Sequence, residues 1–530
     1  MTDLDKTILN HLEFIYGGAE APVIFEPLKA RLAEFKAQHP PAAPQRLGQR
    51  VTEADAVLIT YGDQIQEPNK SPLQSLGETF SESLAEAIST IHILPFYPYS
   101  SDDGFSVIDY KAVDPALGSW DDVNRLGQTF RLMFDAVINH ISAKSVWFQG
   151  FLHSETPYSD YFLTEDPETD LSQVTRPRAL PLLTPVETPD GTKHVWTTFS
   201  TDQIDLNYQN PQVLLEIIDV LLRYVSQGAE FIRLDAIAFM WKDVGTTCIH
   251  LPETHRIIQL FRAVLDVVAP NVILITETNV PHEENISYFG DGQNEAQMVY
   301  QFPLAPLILH TFHTGDATIL KQWAAGLGNL PETATYFNFI ASHDGLGIRP
   351  AEGILTSDQI QTLVDKTLAH GGHVSYKNNP DGSQSPYELN ITLFDALSNP
   401  NADEDESLQI DRFMASQAIM LALAGVPGIY IHSIFGSAND HVGMRETGRA
   451  RTINRQKWLR AEVEAVLANE NSRANKVFHR YLRLLKLRKN HPAFHPNGKQ
   501  QVIDSSAPFF ILHRISPDES KQVLCIHNIS

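Results

Sequence analysis

FIRLD at 231–235, VILITE at 272–277 and YFNFIASHD at 336–344 share one form: a short apolar, β-branched or aromatic run ending in a carboxylate, Asp235, Glu277 or Asp344. Such runs are how strands of a parallel sheet read when both faces are buried, and in a (β/α)8 barrel the C-terminal ends of those strands face the active site. A single acid at such a place often does no more than cap the next helix. Three of them, with Arg233 two residues before Asp235 and His343 beside Asp344, point instead to one catalytic mouth fed by several strands.

Outward from these runs the pattern repeats. AVLITYGD at 56–63, IHILPFYP at 91–98 and RLMFDAVINH at 131–140, ending at His140, read as earlier strands, and GVPGIYI at 425–431 reads as the last. PQVLLEIIDVLLRYVSQG and THRIIQLFRAVLDVVAP are amphipathic helices stopped by Gly and Pro. Alternation of this kind gives an α/β chain with a parallel sheet, here a (β/α)8 TIM barrel. Residues 1–54 read as a peripheral helical segment, with Leu9, Leu12 and Ile15 and then Leu28, Leu32 and Phe35 at helical spacing. The barrel then occupies 55–140 and 209–490. Residues 141–208 form an inserted, loop-rich B domain over its mouth, since a stretch that long between strand and helix is an insertion with a purpose. A long polar loop is expected at 371–390, and a short C-terminal β domain at 491–530 that stops where a further strand is expected.

With 64 acidic against 40 basic residues the chain carries a formal charge of −24, which argues against nucleic acid and anionic membranes as partners. Cys248 and Cys525 are far apart and form no metal or disulfide pattern, so a reducing compartment is expected. The N-terminus has no secretory signature and no stretch is long enough to span a bilayer, which points to the cytoplasm. A homodimer is compatible with this composition. No metal site is expected.

Retaining glycosyl transfer needs a nucleophilic carboxylate and a protonatable carboxyl about 5 to 5.5 Å apart. Asp235 fits the nucleophile, with Arg233 on the same strand face keeping it ionised and its pKa low. Glu277 fits the acid and later the base, with a raised pKa. Asp344 binds sugar hydroxyls as the ring flattens, and His140 and His343 are hydroxyl donors.

FDAVINH, FIRLDAIAF, ILITETN and FNFIASHD resemble, in order, the four conserved segments of the α-amylase family of glycoside hydrolases (family 13). SSDDGFSVIDY, VTRPRALPLLT, QIDLNY, GVPGIYI and TINR are similar to its sucrose-phosphorylase branch, which transfers glucose to phosphate. YKNNPDGSQSPYELN and FMWKDVGTTCIHL are most similar to the glucosylglycerate phosphorylases of that branch. The resemblance implies the same roles for Asp235, Glu277 and Asp344. It puts Asp102, His140, Arg233, His343 and Arg451 in or around the glucose site, and Arg178, Tyr387 and Arg451 at phosphate, with Arg176 competing with Arg178. No cofactor is implied, because inorganic phosphate is a co-substrate. Glu388 replaces the Gln that follows the Tyr in sucrose phosphorylases, which counts against sucrose. A glycerate carboxylate needs a cation, for which Lys377 and Arg176 are the candidates, but Glu388 would repel it unless paired. The implied reaction is transfer of glucose from 2-O-α-glucosyl-D-glycerate to phosphate. Glucosylglycerol, sucrose or sucrose 6-phosphate as donor, or a retaining α-glucosidase, are the alternatives.

Overall fold

The computed structural model describes residues 2–178, 180–328, 330–379 and 383–530. Eight parallel strands close a barrel: β1 (Val57–Thr60), β2 (Thr90–Ile93), β3 (Arg131–Ala136), β4 (Ala229–Leu234), β5 (Ile273–Thr276), β6 (Met298–Tyr300), β7 (Thr335–Asn338) and β8 (Val426–Tyr430). Neighbours in sequence are neighbours in the barrel, and β1 closes it by pairing β8 through Val57 opposite Gly428. The strands are buried along nearly their whole length, which is why they read as continuous apolar runs.

The surrounding helices start on local signals. Asn210 caps Pro211–Ser226 by accepting from the Gln212 N–H, with Pro211 in the first turn, where its missing N–H costs nothing. Thr356 and Gln359 form a capping box on Ser357–Ala369. The helix Pro211–Ser226 buries an apolar stripe that includes Leu214, Ile218 and Leu221. The N-terminal helices Asp3–Tyr16 and Ala21–Gln38 pack against Pro252–Val268, fastened by Arg256 over the Phe14 ring (4.6 Å) and by the Tyr16 hydroxyl donating to the Tyr208 carbonyl (2.8 Å).

Three segments differ from the sequence reading. RLMFDAVINH is not one strand: β3 stops at Ala136 and the chain peels off to bond the excursion that follows, Asn139 O accepting from Leu206 N and His140–Ser142 pairing Gln203–Asp205. The excursion also holds a hairpin, Leu183–Thr188 with Gly191–Trp196. The stretch expected as a loop at 371–390 is an antiparallel pair, His373–Asn378 with Gln384–Asn390, to which Leu346–Gly347 adds a third strand. Its alternation was hidden because the sheet stands over the barrel mouth, where polar side chains belong. The PDG of its YKNNPDG stretch lies outside the described residues. At the far end Lys499–Ile503, Phe509–Ile515 and Gln522–Asn528 form a three-stranded antiparallel sheet.

Candidate active site

β4 and β3 run side by side with Arg233 directly opposite Asp135, so these two buried charges meet in the barrel centre. Arg233 Nη1 is bound to Asp135 Oδ1 and donates to Asp235 Oδ1 at 2.7 Å, while Nη2 lies 3.9 Å from Glu277 Oε2. The other oxygen of Asp135 meets His92 Nε2 at 2.6 Å. A fully buried guanidinium is tolerable only with such partners. Asp135 and His92 were not singled out from the sequence; a charge inside a buried strand was the signal, and its meaning depends on register.

Behind Asp235 the backbone turns left-handed at Ala236 (φ 49°), an uncommon conformation for a non-glycine residue and one that concentrates at functional sites. The turn aims the Ala236 N–H at Glu277 Oε2 (3.1 Å). Nucleophile candidate and acid candidate are thus tied together through one peptide.

Asp344 is held from the other side. Arg451 Nη1 lies 2.7 Å from its Oδ1, and Asn454 donates to the Asp344 and Ser342 carbonyls (3.1 and 3.2 Å). Arg455 donates to the His343 carbonyl (2.8 Å) and pairs with Asp103. His343 stacks on Phe105 with ring centres 4.7 Å apart and planes nearly parallel. Phe105 follows the tight turn of SSDDGF, where Asp102 and Asp103 are left-handed and Gly104 is required: a Cβ there would stand 2.5 Å from the Pro95 carbonyl. His140 Nε2 is hydrogen-bonded to the Phe105 carbonyl (2.9 Å). Behind it Lys242 is buried against Asp205 (2.6 Å) and Asn139 (3.0 Å).

One cavity is lined by Asp235, Glu277, Asp344, Asp102, His140, His343 and Arg451, and also by Arg178, Arg349, Tyr387, Glu388 and Asn279. Arg233 sits beneath it. Phe199, Gln203 and Pro177 from the excursion complete one wall. Arg176 and Lys377 are not in this cavity: they line an adjoining outer groove, Arg176 exposed and Lys377 3.6 Å from Glu352. Of the two competing arginines, Arg178 is the one at the cavity, over the Tyr387 ring at 5.7 Å. Arg349, which sequence reasoning passed over, lines both compartments.

Glu388 is not free to repel an anion. Arg451 grips it with two nitrogens, Nε at 3.1 Å and Nη2 closer, so the residue that looked like an obstacle is neutralised by a partner 63 positions away.

Burial dominates the electrostatics. Asp235, expected low, is raised: burial pushes it up, Arg233 opposes, and the like charges of Glu277, Asp135 and Asp344 add to the rise. Arg233 does not win, because Asp135 shares the same Nη1 nitrogen. Glu277 is raised too, by burial, which outweighs the opposing pull of Arg233 and is reinforced by the charge of Asp344. The two acids therefore share a proton as a pair. Burial would raise Asp344 as well, but Arg451, His343 and Arg455 outweigh it and hold that carboxyl well below the usual range. Burial lowers His343 to about 3, so it works as a neutral ring. Among the described residues no group of three or more His, Cys, Asp or Glu is placed to hold a metal ion, and no helix is long and apolar enough to cross a membrane.

Comparison with known proteins adds lineage to this geometry. Residues 86–345 match the α-amylase catalytic-domain family. The chain is 54% identical over 528 residues to the glucosylglycerate phosphorylase of Allomeiothermus silvanus, covering 100% of this chain and 93% of that one. It is 49% identical to that of Spirochaeta thermophila, covering 98% and 88%. Among solved structures, sucrose 6F-phosphate phosphorylase from Thermoanaerobacter thermosaccharolyticum superimposes with a TM-score of 0.77 over 90% of this chain and 94% of that one, at 24% identity. The chain belongs to the α-amylase family, among its phosphorylase members.

Proposed function

We propose that this chain is a retaining glucoside phosphorylase that transfers glucose from 2-O-α-glucosyl-D-glycerate to inorganic phosphate, giving α-D-glucose 1-phosphate and D-glycerate. The observation that carries the reading is identity of 54% over the whole chain to a glucosylglycerate phosphorylase. The cavity agrees with it: the carboxylates Asp235, Glu277 and Asp344 share it with the arginines Arg178, Arg349 and Arg451.

In this mechanism glucose sits at the base, with its hydroxyls on Asp102, His140, His343, Asp344 and Arg451. Asp235 attacks the anomeric carbon, and Glu277 gives its proton to the departing glycerate oxygen. Asp344 steadies the flattened, positive sugar. Phosphate then enters where glycerate left, gives a proton to Glu277 and attacks the same carbon, releasing Asp235. Two inversions retain configuration. The chemistry uses side chains and phosphate alone. We place the enzyme in the cytoplasm, where Cys248 and Cys525, both free thiols, stay reduced.

The test offers α-glucose 1-phosphate with D-glycerate, glycerol, fructose and fructose 6-phosphate in separate assays and measures phosphate release. Glycerate is expected to be used best, and its affinity to weaken as salt rises while that of glycerol does not. Equal kcat/KM for glycerate and glycerol with no difference in salt response would move the enzyme to glucosylglycerol, and strong activity on fructose would move it to sucrose.

Arg178 is proposed as a phosphate ligand, because its fork matches phosphate oxygens and its contact here is a ring face rather than a carboxylate. Arg178→Ala should slow phosphorolysis about 10- to 100-fold more than hydrolysis of the same donor, the range of one charge-assisted contact. Equal losses would make Arg178 a loop-positioning residue.

A further inference from the structure

The cations first considered for the acceptor carboxylate, Arg176 and Lys377, stand outside the catalytic cavity, and Arg451 inside it is consumed by Asp344 and Glu388. A carboxylate leaving from beside Glu277 needs a closer positive charge. Two cavity cations lack a tight carboxylate partner. Among the described residues, Arg178 has its ring contact, and Arg349 a 3.9 Å approach to the half-exposed Glu284.

Arg349 stands at the right place. It lines the catalytic cavity together with Glu277, Asn279 and Tyr387 and also the outer groove, so it marks the junction between the two. Glucose fills the closed base around Asp235, so the acceptor must extend from Glu277 towards this junction. The backbone at Arg349 is fixed: the preceding residue, Ile348, donates its N–H to the Tyr387 carbonyl (3.1 Å), and Gly347 is the register partner of Glu388. Arg349 therefore follows directly on the strand that pairs with Glu388.

Its guanidinium is also steered. Glu284 meets Arg349 with Oε2, and the same oxygen lies 3.1 Å from His250 Nε2, while His250 Nδ1 is bound to the Tyr288 hydroxyl (2.7 Å). His250 is in the left-handed region (φ 57°), and it ends the WKDVGTTCIH stretch for which the catalytic steps have no use. A loop held in an uncommon conformation to place one imidazole against one glutamate is a positioning device. At 3.9 Å the Glu284 contact is too long for a hydrogen bond, so the donors of Arg349 keep their capacity for another anion.

We propose that Arg349 binds the carboxylate of the acceptor acid, and that Tyr288, His250 and Glu284 form a relay that positions it. The assignment rests on the reading of the acceptor as a small hydroxy acid, and the experiment separates the two. Synthesis from α-glucose 1-phosphate is measured with D-glycerate and with glycerol, so that phosphate contributes equally to both rates. In Arg349→Gln the ratio of kcat/KM for glycerate to that for glycerol should fall about 10- to 150-fold, the range of one charge-assisted hydrogen bond, and Arg349→Lys should recover part of it. Glu284→Gln, which loosens the guanidinium without removing it, should raise KM for glycerate while kcat changes by less than about threefold.

If the unaltered enzyme does not prefer glycerate to glycerol, the acceptor reading falls and takes this assignment with it. If it does prefer glycerate and Arg349→Gln keeps that preference, the acceptor reading stands and Arg349 is not the carboxylate ligand. A uniform loss with both acceptors would make Arg349 a structural residue and overturn the proposal equally.

Discussion

Asp235→Ala is expected to form no covalent glucosyl-enzyme from any donor and to lose about 10⁴-fold or more of kcat/KM, since no second carboxylate can reach the anomeric carbon from the same side. Glu277→Gln should behave differently. It keeps the nucleophile and the Arg233 bond that holds its charge, so a donor whose leaving group needs no proton, such as α-glucosyl fluoride, should still glucosylate it. Its glucosyl-enzyme should then build up, because no base remains to activate the incoming hydroxyl. Intact-mass measurement after mixing with the fluoride distinguishes the two variants directly; adducts on both, or on neither, would remove the assigned roles. The pH profile gives a second reading. Burial raises both acids, so the unaltered enzyme keeps its catalytic proton to higher pH than a free glutamic acid. It loses activity on a glucoside as pH rises through the upper ionisation of the pair, where Glu277 gives that proton up. With the fluoride as donor, the glucosylation step should show no such alkaline fall.

The sequence exposed what is local. Strand ends are local, and Asp235, Glu277 and Asp344 could be read because each terminates a run whose composition has one structural meaning. Alternation of those runs with capped helices gave the barrel. What could not be read depends on register or on distant pairing. Asp135 lies in a quoted stretch, yet its place opposite Arg233 exists only once β3 and β4 are aligned. The same alignment overturns the expectation for Asp235, because a guanidinium assumed to serve one carboxylate serves two. The paired strands His373–Asn378 and Gln384–Asn390 were hidden by polarity suited to the barrel mouth, and Arg349 by its place in an ordinary turn, Arg349–Ala351, with no neighbour in sequence to mark it. Glu388 is the sharpest instance. Alone it contradicts an anionic acceptor; paired with Arg451 it no longer does.

That pairing fixes the remaining large effect. Arg451 was associated with phosphate through the family resemblance, which would make Arg451→Ala a selective defect. The structure instead places its guanidinium between two carboxylates, the partly buried Asp344 at 2.7 Å and the buried Glu388 in a two-pronged grip. Asp344 and Glu388 help to hold Arg451 charged against the cost of burying it. Removing one partner of a buried ion pair leaves an uncompensated charge and costs about 3–5 kcal/mol. Here two carboxylates are left facing each other across the glucose site. Arg451→Met is therefore expected to reduce hydrolysis and phosphorolysis together, by about 10²- to 10⁴-fold on the scale of 1.36 kcal/mol per decade. Asp344 should also lose its depressed pKa, since its largest stabilising partner is gone. Glu388→Gln in the same chain removes one of the stranded charges. The double variant should then be more active than Arg451→Met alone, a positive coupling that two independent defects would not give. A selective loss of phosphorolysis in the single variant, or strict additivity in the double, would return Arg451 to a phosphate ligand and leave Glu388 without a physical explanation.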